Sequence, residues 1–318
     1  MTSEERWLRT DVSAWVGLSV EQSGSTRNTW LEEPNSGARW LHKDTVIPEN
    51  RNEQGEDWSE IFSTQVALAL GVPCAATRMC ARDGRRGTIS RNVRPPGHDL
   101  NEGMVALNVC PQVLGYFPHT EEEPGVDPER PDVARPGHSL MNIQAALNGV
   151  LAPPDFEGPE ALGAFDVFVG FLTLDALIAN RDRHEQNWAV LTPQLASIPE
   201  RLSPTYDHAS SLGYNLLDNY RERLLASPNG VQKWAANGTA YRFEHEGSPT
   251  TLVALAVEAL GMCSDERAHY WRGQIADLDL DPIFAALDAN VIPEMSAPAA
   301  KFASALLRHN HERLRNAI

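Results

Sequence analysis

The chain has 318 residues and a formal net charge of −16, from 27 Lys and Arg against 43 Asp and Glu. A hydrophobic fraction of 42% is enough for a large buried core, so the length predicts one large domain or two modest ones. So acidic a chain excludes direct binding to a nucleic-acid backbone or to an anionic membrane face. Lysine is scarce, since only Lys43, Lys233 and Lys301 are present.

Residues 1–50 are polar, with aromatic and β-branched residues spaced as in short strands. Strands are predicted over 15–20, 28–31 and 38–43, the last two joined by a turn at 34–37. A helical period over 57–70 then ends at Gly71. Two more strands follow, over 77–80 and 87–93, with a turn at 83–84. The first hundred residues therefore predict a small β-rich layer with one helix.

The composition changes after this layer. Residues 117–139 are rich in proline and acidic side chains, which predicts a solvated loop or lid. Helices are predicted over 139–147 and 162–178, and further helical patterns follow in 250–318, interrupted at Pro282 and Pro293. The chain is thus predicted to be an α+β protein, with a β-rich part over 1–105 and a larger helical part over 106–318.

The second of these helices is apolar almost all round, but it contains Asp166 and Asp175. Two carboxylates in this stretch favour a central buried helix over a membrane span. The N-terminus has no apolar secretory segment, and the four cysteines lack the spacing of a zinc site. We therefore expect a reduced, cytoplasmic protein without a membrane or nucleic-acid partner.

The segment after the helix carries the clearest chemical pattern. Asp182 and Asn187 match the D-x-x-x-x-N spacing of a phosphoryl-transfer loop, in which a carboxylate receives the hydroxyl proton and an amide oxygen binds magnesium. The spacing alone is weak, because Asp175 and Asn180 share it. The context strengthens it: a strand-like run follows at 188–191, and Asp207 ends a second extended segment, where a kinase fold has its metal-binding carboxylate.

The run N-x-D-R-H-x-x-N at 180–187, after an apolar helix, resembles the catalytic loop of HipA-like serine/threonine kinases. The segments 59–73 and 87–92 resemble that family's first-lobe helix and the strand after it. The similarity spans roughly 20–215 and is closest to the compact, CtkA-type members, which lack the extra N-terminal subdomain of HipA toxins. It implies a two-lobed, protein-kinase-like fold with a small β-rich N-lobe and a larger helical C-lobe.

The resemblance also implies roles for individual residues, with ATP and Mg²⁺ as cofactors. Asp182 is the expected base, and Asn187 and Asp207 are the expected metal ligands. Lys43, at the end of a strand, is expected to contact the α- and β-phosphates as a compact point charge. Glu60 is expected to pair with Lys43, with Glu56 and Asp57 as nearby rivals for this role; the alternative is an ordinary first-turn glutamate that the helix dipole favours.

A polar stretch at 22–29 is the expected phosphate-covering loop. Ser23, Gly24 and Ser25 would bind phosphate through their backbone N–H groups, but a single glycine is also consistent with an ordinary polar hairpin. One of Ser23, Ser25, Thr26 and Thr29 could accept an autophosphorylation. The adenine is expected near 101–107.

Two histidines leave alternatives open. His184 is interpreted as a residue that orients the loop backbone, since Asp182 already supplies the base. A zinc hydrolase built on Asp207, His208 and His184 is disfavoured because no H-E-x-x-H framework is present. Arg183 is expected to pair with a phosphate or a carboxylate that orders the loop.

The predicted function is an ATP- and Mg²⁺-dependent kinase that phosphorylates a serine or threonine of a protein. Alternatives are a kinase of a small molecule or biosynthetic peptide, and a partner-binding pseudokinase. The acidic loop 117–139 could suit a cationic acceptor or serve only solubility. An antitoxin-like protein partner is a further possibility implied by the family.

Overall fold

The structure is a computed structural model that describes residues 5–23, 26–49, 53–120 and 123–318. A β-rich N-terminal part is followed by a larger and mostly helical C-terminal part. This arrangement confirms the predicted α+β class.

Six strands form the first sheet, in the spatial order β1-β5-β6-β4-β3-β2. Their bounds are β1 Thr10–Asp11, β2 Val16–Ser23, β3 Thr26–Glu32, β4 Arg39–Asp44, β5 Thr77–Arg82 and β6 Arg85–Arg91. All neighbours are antiparallel except β1 and β5. Side chains alternate in burial along β4, where Trp40 and His42 are buried while Leu41 and Lys43 are half-buried on the opposite face.

Helix α1 (Glu56–Leu70) packs on this sheet. It ends as predicted at Gly71, which adopts a left-handed conformation with φ +76° and donates its backbone N–H to the carbonyl groups of Ala67 and Leu68. Trp58, Ile61 and Phe62 belong to the main hydrophobic core, as does Met79 of β5. The helix is therefore held between the sheet and the rest of the molecule.

A second sheet links the two parts of the chain. It consists of β7 (His98–Glu102), β9 (Ala189–Pro193) and β10 (Arg201–Leu202) in the order β10-β9-β7. Strand β7 and the helix that follows it, α2 (Gly103–Val109), form the chain's passage between the parts. The predicted boundary at residue 105 falls within α2, and it stays a prediction.

The remaining elements form the C-terminal part, in which α4 (Ala164–Ile178) is the central helix. Their bounds are β8 Val133–Ala134, α3 Leu140–Ala146, α4 Ala164–Ile178, α5 Asp218–Ala226, α6 Gly230–Ala236, β11 His245–Glu246, α7 Leu252–Gly261, α8 Asp265–Ala276, α9 Asp281–Asp288 and α10 Ala297–Ala317. Every residue of α4 is buried. Its two carboxylates are both paired, Asp166 with Arg267 at 3.1 Å and Asp175 with Arg183 at 2.8 Å.

The loop predicted at 117–139 is attached to a distant segment. Its strand β8 pairs with β11, and Arg130 bridges Asp127 at 2.8 Å and Glu244 at 3.1 Å. In the part of the chain that the structure describes, no helix is both long and apolar enough to cross a membrane.

Candidate active site

The predicted catalytic loop begins where α4 ends. Ala179 terminates the helix in a left-handed conformation with φ +55°. The side-chain oxygen of Asn180 then accepts the backbone N–H of Asp182 at 3.1 Å, while its amide nitrogen donates to Asp175 at 2.8 Å. This turn brings Asp182 out of the core, so that 27% of its side chain is exposed.

The buried side chain of Arg183 links the loop to neighbouring segments through hydrogen bonds. Its Nε and Nη2 donate to the two carboxylate oxygens of Asp175, each at 2.8 Å, and its Nη1 donates to the carbonyl of Asn187 at 2.6 Å. The same Nη1 reaches Thr205 Oγ1 at 2.8 Å. A single buried guanidinium therefore connects α4, the loop and the segment that leads to Asp207. Of the two partners expected for Arg183, the structure has the carboxylate.

Asp182 and Asn187 lie together, as their spacing predicts. The amide nitrogen of Asn187 donates to the backbone carbonyl of Asp182 at 2.7 Å. With its nitrogen engaged in this way, Asn187 has its amide oxygen as the group that can bind a hard cation.

Lys43 and Asp207 meet across the two parts of the molecule. Lys43 Nζ lies 2.9 Å from Asp207 Oδ2, and both side chains are about a third exposed, at 31% and 33%. Burial opposes ionisation of Asp207, but the charge and hydrogen bond of Lys43 together with the nearby His184 and His208 outweigh it, and the pKa of this carboxyl lies below its usual range. Gly87 on β6 lets the strands close beside Lys43, because a Cβ there would sit 2.2 Å from the Lys43 carbonyl oxygen.

Asp207 has a strained backbone. Its φ of +62° lies in the left-handed region, which aspartate tolerates better than most residues. The preceding Thr205 is fixed by backbone bonds to the 73–75 segment after α1, with distances of 2.8 and 2.9 Å. The neighbouring elements thus hold the chain in the conformation that turns Asp207 towards Lys43.

Glu60 has a different contact from the one predicted. Among the ion pairs between described residues, the partner of Lys43 is Asp207 and the partner of Glu60 is His208. Glu60 Oε2 accepts the backbone N–H of His208 at 2.6 Å, and Oε1 lies 3.4 Å from His208 Nδ1. The direct Glu60–Lys43 pair is thus not seen, because Glu60 is buried against the residue that follows Asp207.

His184 lies within the loop backbone. Its Nδ1 accepts the N–H of Gln186 at 3.2 Å, and its carbonyl accepts the N–H of Asn187 at 2.9 Å. Burial lowers the pKa of its imidazole, although Asp182 and Asp207 act in the opposite direction. These contacts are those of a residue that orients the loop.

The donor set fits magnesium better than zinc. Among residues 5–23, 26–49, 53–120 and 123–318, no group of three or more His, Cys, Asp and Glu could hold a metal ion. Magnesium needs only one or two protein carboxylates together with substrate phosphates and water. The amide oxygen of Asn187 and the carboxylate of Asp207 are oxygen donors of this kind. Arg183 contacts the chain next to both, at the backbone carbonyl of Asn187 and at Thr205, two residues before Asp207.

The segment predicted as a phosphate-covering loop is mostly strand. Ser23 pairs with Thr26 and Gln22 with Arg27, so β2 and β3 extend further than their predicted bounds. Gly24 and Ser25 lie outside the described residues. Strand β3 pairs with β4, which carries Lys43, so β2 and β3 form the edge of the sheet next to that strand.

The passage expected to meet adenine lies against the catalytic loop. Gly103 donates its backbone N–H to the carbonyl of Trp188 at 2.8 Å, and Met104 donates to that of Glu185 at 3.0 Å. Asn101 is tied to Thr192 through its side chain at 2.9 Å. The role of residues 101–107 in binding adenine stays a prediction.

Three residues of the site were not predicted. They are Arg242, Arg135 and Glu185. Arg242 donates to Asp182 Oδ1 through Nε at 2.7 Å and Nη2 at 2.5 Å, and Arg135 lies 3.9 Å from Glu185 Oε2. Arg242 is 60 positions from Asp182 along the chain. No local pattern signals a contact over such a separation, because it depends on how β8 and β11 pair.

Comparison with solved structures identifies the fold. The chain resembles the crystal structure of the proinflammatory kinase CtkA of Helicobacter pylori, with a TM-score of 0.71 and 15% identity, over 98% of this chain and 97% of that chain. It also matches HipA of Shewanella oneidensis MR-1, from a toxin–antitoxin complex with HipB and operator DNA, at 14% identity and a TM-score of 0.46, over 96% of this chain and 69% of that one.

At this level of identity, the CtkA comparison shows the fold. The chain therefore has a kinase-like fold of the CtkA kind, which confirms the predicted two-lobed, protein-kinase-like architecture and, at the level of fold, the resemblance seen in the catalytic loop. No family model matches the sequence. No curated protein matches it either.

Proposed function

We propose that the protein is an ATP- and Mg²⁺-dependent phosphotransferase that transfers the γ-phosphate to a serine or threonine hydroxyl of a protein. The observation that supports this proposal is a pair of contacts in a kinase-like fold: Lys43 lies 2.9 Å from Asp207, and Asn187 donates to the carbonyl of Asp182 at 2.7 Å. Arg183 connects the two contacts, because it donates both to the carbonyl of Asn187 and to Thr205, two residues before Asp207.

In this proposal each residue has a distinct task. Asp182, partly exposed and hydrogen-bonded on one oxygen, would orient the acceptor hydroxyl and receive its proton. Lys43 would bind the α- and β-phosphates and, until nucleotide arrives, neutralises Asp207. Asn187 and Asp207 would hold magnesium, which supplies positive charge against the β- and γ-phosphates.

The remaining predicted residues have supporting roles here. Glu60 would act through His208, because its bond to that backbone N–H positions the residue next to Asp207. Ser23, Gly24 and Ser25 would cover the phosphates with the hairpin turn, and Asn101 to Leu107 would border the adenine. An antitoxin-like partner belongs to this proposal as a possible regulator of the chain.

The proposal is tested by incubation with ATP labelled on the γ-phosphate, first alone and then with cell lysate, in Mg²⁺ or in a chelator. We expect Mg²⁺-dependent label on serine or threonine of the chain itself or of a lysate protein. Lys43→Met should raise the ATP concentration needed, since it removes the phosphate-binding charge, whereas Lys301→Met on the exposed face of α10 should not. Absence of labelled protein would overturn the proposal, and label confined to small molecules would assign the acceptor to that class instead.

A further inference from the structure

Two other segments of the chain contact the catalytic loop. Residues 116–120 and 123–138 contact Glu185 through His119 and Arg135, residues 238–246 contact Asp182 through Arg242, and the β8–β11 pair joins the two segments. Together they bring Arg135 and Arg242 to the loop that carries Arg181, and these three side chains are here called the arginine cluster. This concentration of positive charge is notable in a chain with a net charge of −16.

Arg242 engages only one oxygen of Asp182. Both of its contacts, from Nε and Nη2, go to Oδ1, so Oδ2 is the oxygen left for an incoming hydroxyl. The guanidinium also stacks on Tyr241 at 4.9 Å, and Arg181 lies over the same ring at 5.3 Å. Tyr241 therefore fixes two of the three arginines next to the place where the hydroxyl must dock.

Arg135 is the member without a good partner. Its side chain is only 11% exposed, and its nearest carboxylate oxygen, Glu185 Oε2, is 3.9 Å away, beyond hydrogen-bond distance. Across the ranges that the structure describes, its guanidinium makes no hydrogen bond. Its backbone is held in the left-handed region with φ +56°. Burial lowers the pKa of this arginine, and the charge of Arg242 lowers it further.

Other polar atoms around Arg135 are also unsatisfied. Glu185 Oε2, Tyr116 Oη and His119 Nδ1 are buried and have no hydrogen-bond partner among the described residues. The Glu185 side chain is 2% exposed. Burial raises the pKa of Tyr116, so its hydroxyl stays a donor. Several buried polar groups that lack partners in one place are expected where a ligand completes the hydrogen bonding.

We propose that the arginine cluster recognises a carboxylate of the acceptor, so that the preferred serine or threonine has an acidic side chain directly beside it. Arg135 would form the main contact through its planar fork, and Tyr116 would donate a further hydrogen bond. This inference rests on the proposed kinase function and names the acceptor class of that same site.

The charge distribution distinguishes this acceptor from a cationic one. The acidic composition of 117–139 suggested a cationic acceptor, but Asp127 of that loop is paired with Arg130, which also binds Glu244. Where that loop contacts the catalytic loop, at Glu185, it does so through Arg135 and through the backbone N–H of His119. A lysine or arginine next to the acceptor hydroxyl would meet like charge there.

Three synthetic peptides test the inference. Each has one serine in the same alanine and glycine background, with Asp, Ala or Lys on both sides of it. We expect kcat/KM to be highest for the Asp peptide and lowest for the Lys peptide, with steps of about tenfold, the size of one charge-assisted contact. A fourth peptide with phosphothreonine beside the serine separates the two anions, and a higher kcat/KM for it than for the Asp peptide would overturn the assignment to a carboxylate.

Charge reversal at Arg135 separates recognition from a structural role. Arg135→Glu should reverse the preference towards the Lys peptide, and Arg135→Gln should raise KM for the Asp peptide about tenfold, a larger change than for the Ala peptide. Arg272→Gln, an exposed arginine on α8, is the matched control and should change neither.

Two failures can be told apart. If the chain phosphorylates itself but shows no preference for the Asp peptide, the acceptor inference is wrong and the kinase proposal stands. If neither the chain nor any peptide is labelled, both are wrong.

Discussion

Two Asp-x-x-x-x-Asn pairs follow one another in this chain, and they have opposite environments. Asp175 and Asn180 are buried and are bonded to each other, and Asp175 is also bonded to Arg183. Asp182 is partly exposed beside Arg242, and Asn187 has its amide oxygen available for a cation. The two pairs have identical spacing but different roles: Asp175 and Asn180 stabilise the fold, whereas Asp182 and Asn187 are candidate active-site residues. The difference lies in whether the hydrogen-bonding capacity is used up within the fold.

The first prediction concerns the buried pair and has the largest expected effect on stability. Asp175→Asn leaves Arg183 buried beside a neutral amide, and removal of one partner from such a pair costs about 3–5 kcal/mol. We expect the free energy of unfolding, measured by urea denaturation, to fall by about this amount. Asp288→Asn, at the exposed end of α9, is the control and should lie within about 0.5 kcal/mol of wild type.

An unchanged urea midpoint for Asp175→Asn would contradict this interpretation, because it would show that the Asp175–Asn180 pair does not stabilise the fold.

The sequence indicated the elements that depend on local periodicity. The apolar period of α1 and its end at Gly71, the run of α4 and the strands around Lys43 all follow from patterns within one segment. The sequence could not distinguish the two Asp–Asn pairs by their spacing, because the distinction depends on the hydrogen bond that Arg183 donates to Asp175 of α4.

Long-range contacts account for what the sequence did not predict. Glu60 is on the predicted helix, but its partner is a residue 148 positions away. Arg242 contacts Asp182 and Arg135 lies near Glu185, and both arginines are next to the strands of the β8–β11 pair, which joins distant parts of the chain. The stretch at 22–29 was predicted as a loop, but residues 22–23 belong to β2 and residues 26–29 to β3, because strand formation there depends on pairing with the neighbouring strand.

The second prediction concerns the amide oxygen of Asn187 in the Asp182–Asn187 pair. Asn187→Ala removes a proposed metal ligand, so the Mg²⁺ concentration for half-maximal phosphate transfer should rise about 10- to 100-fold. Titration of Mg²⁺ at fixed ATP measures this shift. Asn148→Ala, an exposed asparagine after α3, should leave the titration unchanged. The same Mg²⁺ dependence for both variants would remove Asn187 from the metal site.

A third prediction extends the comparison to two neighbouring acids at the start of α1. Asp57 is fully buried but is bound by Arg9 at 2.7 Å and Arg86 at 3.1 Å. Glu56 has a buried oxygen without a hydrogen-bond partner among the described residues, and burial raises its pKa to about 7. Its proton is therefore held more tightly in the folded state than in the unfolded state.

The sign of the pH dependence follows. Between the unfolded pKa near 4.5 and the folded value of about 7, the unfolded chain ionises first, so Glu56 lowers stability as pH rises through this range. Glu56→Gln should raise the free energy of unfolding at pH 8 by about 2 kcal/mol and change it little at pH 4. Denaturation at the two pH values measures this, and an equal effect at both would show that ionisation of Glu56 is not involved.

Phosphate transfer by Asp182→Asn tests the central claim most directly. The substitution keeps the shape of the side chain and the loop bonds that use its backbone, but removes the proton acceptor. Transfer from labelled ATP should fall by about 10²- to 10⁴-fold, while Mg²⁺-dependent ATP binding measured by calorimetry persists. Full turnover by this variant would contradict the assignment of Asp182 as the residue that orients and deprotonates the acceptor hydroxyl.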